Sequence, residues 1–416
     1  MTRGVPDSCP GVLRLHEAAD GPLARIRVPG GRLEPAQVQA LAEAARDLAD
    51  GNIELTSRGN VQLRQVRDAE ELTNRLSAVR LLPSHTHERV RNIIASPLSG
   101  RVGGLVDVHP LVPALDAGLL AAPRLADLPG RVLFTLDDGR GDVSGLGADI
   151  GVHAVRAQEF ALLLAGRDSG VRLSTAHAVD VMLAAAHGFL ALRGDDAGRW
   201  RLHDIEHGAD RVVDLLGLSP VTDRLELPVV QSIPIGWLEQ EDGLVSLGAG
   251  VRLGCLPART AEFLAAIERP IFVTPWRGLV VTDLEEWAAE QIVRVLAPMG
   301  LIFDADSPWL LVSACAGQPG CAKSHTDVRA DVSDAVGTGR VLPAAHPIES
   351  GAADPAPGPP GPETAARHHV PETPTAATDV SVAGRQHWSG CDRRCGRPRG
   401  EITDIVATDK AGYRID

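Results

Sequence analysis

Six cysteines stand at positions 9, 255, 315, 321, 391 and 395. Four of them form two spaced pairs, Cys315-Ala-Gly-Gln-Pro-Gly-Cys321 and Cys391-Asp-Arg-Arg-Cys395. Four thiolates from two loops can close a tetrahedral zinc site or hold an iron–sulfur core. Structural zinc sites usually place two to four residues between paired ligands, so the five-residue spacer of the first pair is unusual for zinc. Gly317, Pro319 and Gly320 let the backbone curl around an inorganic core and aim N–H groups at sulfide. The competing reading, four unrelated thiols, needs spacing, clustering and loop composition to coincide. Cys9 and Cys255 have no partner motif; Cys255 reads as a small core residue.

The charged residues narrow the function classes. Of 41 basic side chains only two are lysine, Lys323 and Lys410, and the remainder are arginine, the side chain suited to forked carboxylate contacts. A net charge of -13 and 3% aromatics disfavour a nucleic-acid partner. No apolar signal-peptide core follows Met1, and Asp180 and His187 interrupt the best apolar stretch, so neither export nor a membrane span is expected. A cytosolic chain keeps its thiols reduced, and clustered cysteines then favour metal over disulfides.

Positioning these groups takes an α+β chain with an internal duplication. Leu23 to Val28 alternates apolar residues with arginine, as a half-buried strand does, and Pro35 opens a helix through Leu48. Strands at 53–56 and 61–66 flank the turn Ser57-Arg58-Gly59-Asn60, and a helix covers 70–79. About 220 positions later the order recurs: strands over 244–253, a helix at 258–267, a strand at 271–274, the turn Pro275-Trp276-Arg277-Gly278 and a closing helix at 285–296. Arg58 and Arg277 thereby occupy matching turns of a pseudo-twofold pair. Between the copies the pattern gives a strand at 131–136 and helices at 158–165 and 179–192. Four domains are expected: half-domains at 11–80 and 231–300, alternating with larger domains at 81–230 and 301–416. Residues 351–380, with seven prolines, read as an insertion between the cysteine pairs.

Other motifs have blander readings. His85 and His87 could share a strand face, but a polar loop pair is the simpler interpretation. His203 and His207 read as surface helix, His325 as a candidate hydrogen-bond donor to a cluster or substrate, and His368-His369 as solvated. The glycine-rich stretches 139–147 and 248–254 miss the dinucleotide fingerprint and read as hairpin turns. No phosphate-binding loop is present, so electrons must come from a separate donor.

The C-x5-C pair, long gap and C-x3-C pair behind a duplicated half resemble the sulfite/nitrite reductase family over nearly the whole chain. That resemblance implies a [4Fe-4S] cluster on Cys315, Cys321, Cys391 and Cys395, with Cys395 nearest any tetrapyrrole iron. Leu55-Thr-Ser-Arg-Gly-Asn-Val-Gln62 resembles the strand-turn motif whose arginine faces tetrapyrrole and substrate. Arg89-Val-Arg-Asn-Ile93 resembles the second arginine motif. Arg58 and Arg91 become candidate catalytic and substrate-binding residues, joined in substrate binding by Arg131 and Arg277. The chain departs from the family where a proton-donating lysine pair follows Leu-Pro: here Leu128-Pro129 leads to Arg131 and Leu133. A shorter branch of the family, the precorrin-3B synthases, is more similar. It implies O2-dependent hydroxylation and lactone formation on a tetrapyrrole with eight carboxylates, a second iron centre (sirohaem or non-haem) and an external ferredoxin or flavoprotein. The alternative is a short sulfite or nitrite reductase with sirohaem.

Overall fold

The computed structural model describes residues 7–227, 233–343, 382–410 and 412–416. The expected insertion at 351–380 and the His368-His369 pair lie outside these residues. Contacts divide the chain into two compact units, Met1–Leu310 with Pro398–Gly400, and Leu311–Arg397 with Glu401–Asp416.

In the first unit, the first repeat builds a sheet in the order His16–Ala18, Gly21–Ile26, Val61–Leu63, Asn52–Leu55, and its fifth strand, Cys255–Pro257, comes from the second repeat. The second repeat builds Gly236–Glu239, Val245–Val251, Gly278–Leu284, Ile271–Val273, and its edge strand, Arg32–Leu33, comes from the first. The exchange is reciprocal in register: Cys255 pairs with Glu54, and Arg32 pairs with Phe272. Each edge that would otherwise offer unpaired N–H and C=O groups is covered by the other copy. One core serves both repeats, running through Val38, Leu41, Ala42 and Ala45 of the helix Pro35–Leu48 and Ala261 and Leu264 of Ala258–Ala265.

A third sheet follows the order Arg167–Ser174, Glu159–Leu164, Ile150–Arg156, Phe134–Asp137, Ile93–Ala95, with the last three parallel. Residues 158–165, expected as helix, form a strand. Their apolar run Phe160–Leu164 is fully buried, and Gly166 at φ 79° turns the chain at its end, a length that suits a strand. The stretch 139–147 links two parallel strands and 248–254 continues a strand into a short 3-10 turn; neither is a hairpin. The helix Thr175–Arg193 is long and apolar enough to cross a membrane by length and composition; its Ala178, Met182, Ala185, Ala186 and Phe189 are buried in the apolar core on this sheet.

The second unit repeats this arrangement at smaller scale. Val312–Ala314, Gln386–Ser389 and Thr403–Thr408 are parallel, Gly412–Ile415 closes antiparallel, and Asp327 caps the helix Val328–Gly337. The loops after its first two strands carry the cysteine pairs.

Candidate functional site

The two cysteine loops are laced together by backbone bonds. The Cys315 N–H donates to the Trp388 carbonyl at 3.0 Å, and the His325 N–H donates to the Gly390 carbonyl at 2.9 Å. The Gly390 N–H points at Cys315 Sγ, 3.2 Å away. Gly390 has no room for a side chain, because a Cβ there would lie 1.8 Å from Ser324 Oγ. Gly317 turns the first loop at φ 66°, against Val328. The four thiols are free, and burial together with the neighbouring Cys391, Cys315 and Cys321 pushes the Cys395 thiol up.

Cys395 thus lies near Cys391, Cys315 and Cys321. A zinc tetrahedron with bonds of about 2.3 Å holds its sulfurs about 3.8 Å apart. Among the described residues, the group of three potential ligands drawn within 4.8 Å of one another is Asp137, Asp138 and Asp142, not the thiols. Four thiols on the loops after neighbouring strands of one sheet have the donor chemistry an iron–sulfur core takes. The aspartate trio is already engaged. Asp137 accepts from the N–H groups of Gly139, Gly141, Val143 and Ser144, while Arg140 holds Asp138.

The arginines form the second feature. Arg27 is 2% exposed; its Nε donates to the Arg89 carbonyl and its Nη2 to the Pro10 carbonyl, while Nη1 has no partner. Burial, with repulsion from Arg25, pushes its guanidinium down to about 10. Arg58 is likewise pushed down to about 10 by burial and by Arg201, and its Nη1 donates to the Arg131 carbonyl at 3.0 Å. Arg25 is held by Gln62 at 2.9 Å, and burial lowers it too. Arg131 lies 4.7 Å over the Trp200 ring and 3.3 Å from Asp7, and Arg201 pairs with Asp149 at 2.6 Å. Buried cations normally sit against carboxylates. Here Arg25, Arg27 and Arg58 have none at ion-pair distance among the described residues. Cys9 is buried beside these guanidiniums.

Arg25 and Arg27 were not singled out by sequence reasoning. The available signal was the alternation itself, which puts both arginines on one face of Gly21–Ile26 and its extension. Arg91 was singled out, and its guanidinium is clamped by Asp116 at 2.7 Å on both arms. Its neighbour Asn92 is a structural bracket: it receives Asn60 Nδ2 and donates to the Gly130 and Val132 carbonyls.

Arg277 does not match Arg58. Both turns close alike: Thr56 N–H to Asn60 carbonyl and Gly59 N–H to Thr56 carbonyl in the first, Thr274 N–H to Gly278 carbonyl and Arg277 N–H to Thr274 carbonyl in the second. Gly59 at φ 63° therefore corresponds to Arg277 at φ 60°, and Arg58 corresponds to Trp276. The side chain of Arg277 packs over Gly254. Leu133, at the second position of the missing lysine pair, is buried with Ile94, Val143 and Ala148.

The two histidine pairs take different surroundings. His87 is buried, with Thr86 Oγ1 at Nδ1 and the Ala122 carbonyl at Nε2, while His85 is exposed in the same irregular loop. His203 lies in a 3-10 turn and His207 precedes the helix Gly208–Leu215, so they share no helix face.

Comparisons with known proteins agree with this architecture. The family profile "Nitrite/Sulfite reductase ferredoxin-like half domain" matches residues 16–79. The structure of the Mycobacterium tuberculosis NirA protein superposes with a TM-score of 0.70 over 95% of this chain and 73% of that one, at 19% identity. A precorrin-3B synthase from Sinorhizobium is 25% identical over the full length, covering 83% of that protein. The fold is sulfite/nitrite reductase-like. A ferredoxin–nitrite reductase from Synechococcus elongatus is 35% identical over 127 residues, and this reductase-like chain matches only 25% of that enzyme's length. The matched half domain is the first of the two strand-exchanging repeats.

Proposed function

We propose that this chain is an oxidoreductase of the precorrin-3B synthase type. It holds a [4Fe-4S] cluster on Cys315, Cys321, Cys391 and Cys395 and binds a polycarboxylated tetrapyrrole on its guanidinium cradle. The carrying observation is the character of that cradle. Arg27 is buried and Arg25 and Arg58 are half-buried, none with a carboxylate at ion-pair distance among the described residues, and by the family resemblance Arg131 and buried Leu133 take the positions of proton-donating lysines. Guanidinium keeps its proton at physiological pH and grips carboxylate in a fork. Such a site suits a substrate with several carboxylates better than the multi-proton reduction of sulfite or nitrite.

A bound cluster supplies electrons one at a time. The chain's own residues supply the rest: Gly390 N–H and the Gly317 turn shape the cysteine loops, and Arg25, Arg27 and Arg58 orient carboxylate arms. In the reaction, one oxygen atom of O2 enters a ring-junction carbon and the other leaves as water. An external ferredoxin or flavoprotein provides the two electrons and the medium two protons. A macrocycle double bond opens as the entering oxygen adds at one end, becoming the hydroxyl, and a neighbouring acetate carboxyl gives up its proton and adds at the other end to close the lactone.

The test is an anaerobic preparation analysed for iron, acid-labile sulfide and absorption. The expected result is broad cluster absorption, about four cluster irons and four sulfides per chain with further iron for the second centre, and turnover of precorrin-3A that requires O2. Cys395→Ser should lose both cluster and turnover. A sirohaem Soret band with sulfite- or nitrite-dependent oxidation of reductant would instead establish the short-reductase reading.

A further inference from the structure

We infer that Asp404 is a positioning residue for the C-x3-C loop, clasping Arg394 and Arg397 so that Cys391 and Cys395 keep the spacing a cluster requires. The inference rests on the reading that the four thiols carry a cluster. The loop has a backbone difficulty. Arg394, directly before Cys395, lies at φ 47°, in the left-handed region that favours glycine. A residue with a long side chain stays there only when its surroundings over-determine it.

Those surroundings are carboxylates. Arg394 Nη1 donates to Asp404 Oδ2 at 2.9 Å, and its Nη2 pairs with Asp416. Arg397 Nε reaches both Asp404 oxygens, at 3.0 and 2.9 Å, and its Nη2 donates to the Ile402 carbonyl at 3.1 Å. Asp404 is 4% exposed and sits on the strand Thr403–Thr408, in register with His387 on the neighbouring strand. His387 in turn pairs with Ser313, whose Oγ lies 2.9 Å from its Nδ1. A polar row thus crosses three parallel strands, ending at Ser313 two residues before Cys315 and bearing at Asp404 the anchor of the opposite cysteine loop. Both loops are referred to one rigid sheet. A nearly buried carboxylate bonded by two guanidiniums is a firm anchor, since removing its charge takes that carboxylate from both Arg394 and Arg397. The outer pair Asp392–Arg414, at 2.9 Å, is largely solvated and contributes little.

Asp404→Asn keeps the shape and removes the charge; Asp404→Glu keeps the charge; Arg397→Gln is the milder cut, and Asp392→Asn the control. Each full-length variant is purified anaerobically. Iron and sulfide, the half-life of cluster absorption under excess bathophenanthroline, and the EPR spectrum of the reduced cluster are then recorded. We expect Asp404→Asn to shorten the half-life by ~10-fold or more and to shift the EPR signal. Arg397→Gln should fall between it and wild type, Asp404→Glu should recover most of the loss, and Asp392→Asn should match wild type. Should Asp404→Asn fail to fold by circular dichroism, Arg397→Gln carries the test. Wild-type half-life and EPR in both Asp404→Asn and Arg397→Gln would overturn the clasp. So would a longer half-life in Arg394→Gly, because relief of the backbone would then outweigh loss of the charge. Full iron and sulfide in Cys395→Ser would overturn the cluster reading itself.

Discussion

The two ferredoxin-like repeats share a backbone and differ in what they place on it. Counting back from the paired glycines Gly31 (φ 72°) and Gly254 (φ 71°), Arg25 and Arg27 of the first repeat fall opposite Gly248 and Gly250 of the second. In the first, the space beside the strand holds the Arg25 and Arg27 guanidiniums, with no carboxylate at ion-pair distance among the described residues. In the second the chain fills it: a Cβ at Gly248 would lie 2.1 Å from the Pro234 carbonyl oxygen, and one at Gly250 2.6 Å from Leu310 Cδ2. Duplication gave two candidate cradles, and one has been sealed with protein. A similar contrast separates the larger domains. The loops after the first two parallel strands are joined by Ser96 Oγ donating to Asp142 at 2.6 Å in one, and carry the four thiols in the other.

Four perturbations test this contrast. The largest effect is expected from Gly248→Arg, which installs the first repeat's residue in the sealed site. The Pro234 carbonyl cannot retreat as a flexible side chain would, so a loss of about 3 kcal/mol or more is expected, read as a fall in urea midpoint. An unchanged midpoint would show the second site to be open. Next, Arg27→Met should do the opposite: retain or raise stability, because it removes a buried, partly unsatisfied cation. It should also weaken binding of an octacarboxylate porphyrin, followed by absorption titration, by roughly 10–100-fold. Unaltered binding would remove Arg27 from the cradle.

Asp142→Asn addresses the acidic loops. Burial, then the nearby Asp137, raises the Asp142 carboxyl to about 7. An acid raised on folding holds its proton more tightly in the native state, so this site costs stability progressively as pH climbs from its unfolded value, about 3.9, toward 7. The amide still accepts from Ser96 and cannot ionise. The melting temperature of Asp142→Asn should match wild type near pH 4 and exceed it by roughly 5 °C at pH 8; parallel curves would refute the raised carboxyl. Smallest of all, Trp276→Arg gives the second turn its counterpart of Arg58. With the second site sealed, porphyrin affinity should not rise and stability should move by less than about 1 kcal/mol.

The cysteine pairs could be read as a candidate ligand set because their spacing is local: the chain between two thiols fixes how they can meet. The helix Pro35–Leu48 and the repeat order were legible for the same reason. Arg27 was not, because an alternating strand reads as having one wet face. Here that face is covered from outside the repeat, by the Arg89 carbonyl and Pro10. The pairing of Arg58 with Arg277 followed the shared Arg-Gly dipeptide, whereas the fold aligns the repeats by which residue takes positive φ, and that shifts them by one. The buried clamp of Arg91 by Asp116 spans 25 positions and leaves no local mark. Residues 158–165 were misread because a short, wholly apolar run carries no period.

The exchanged edge strands also set a timetable for synthesis. The first repeat has its own four strands once residue 63 has emerged, but its fifth strand begins at Cys255. At about 5–20 residues per second, it waits roughly 10–40 s with the Asn52–Leu55 edge bare. During that interval the open edge can pair with any other nascent strand. Slow translation through the intervening domain should therefore lower the soluble yield of this protein more than equal slowing after residue 257.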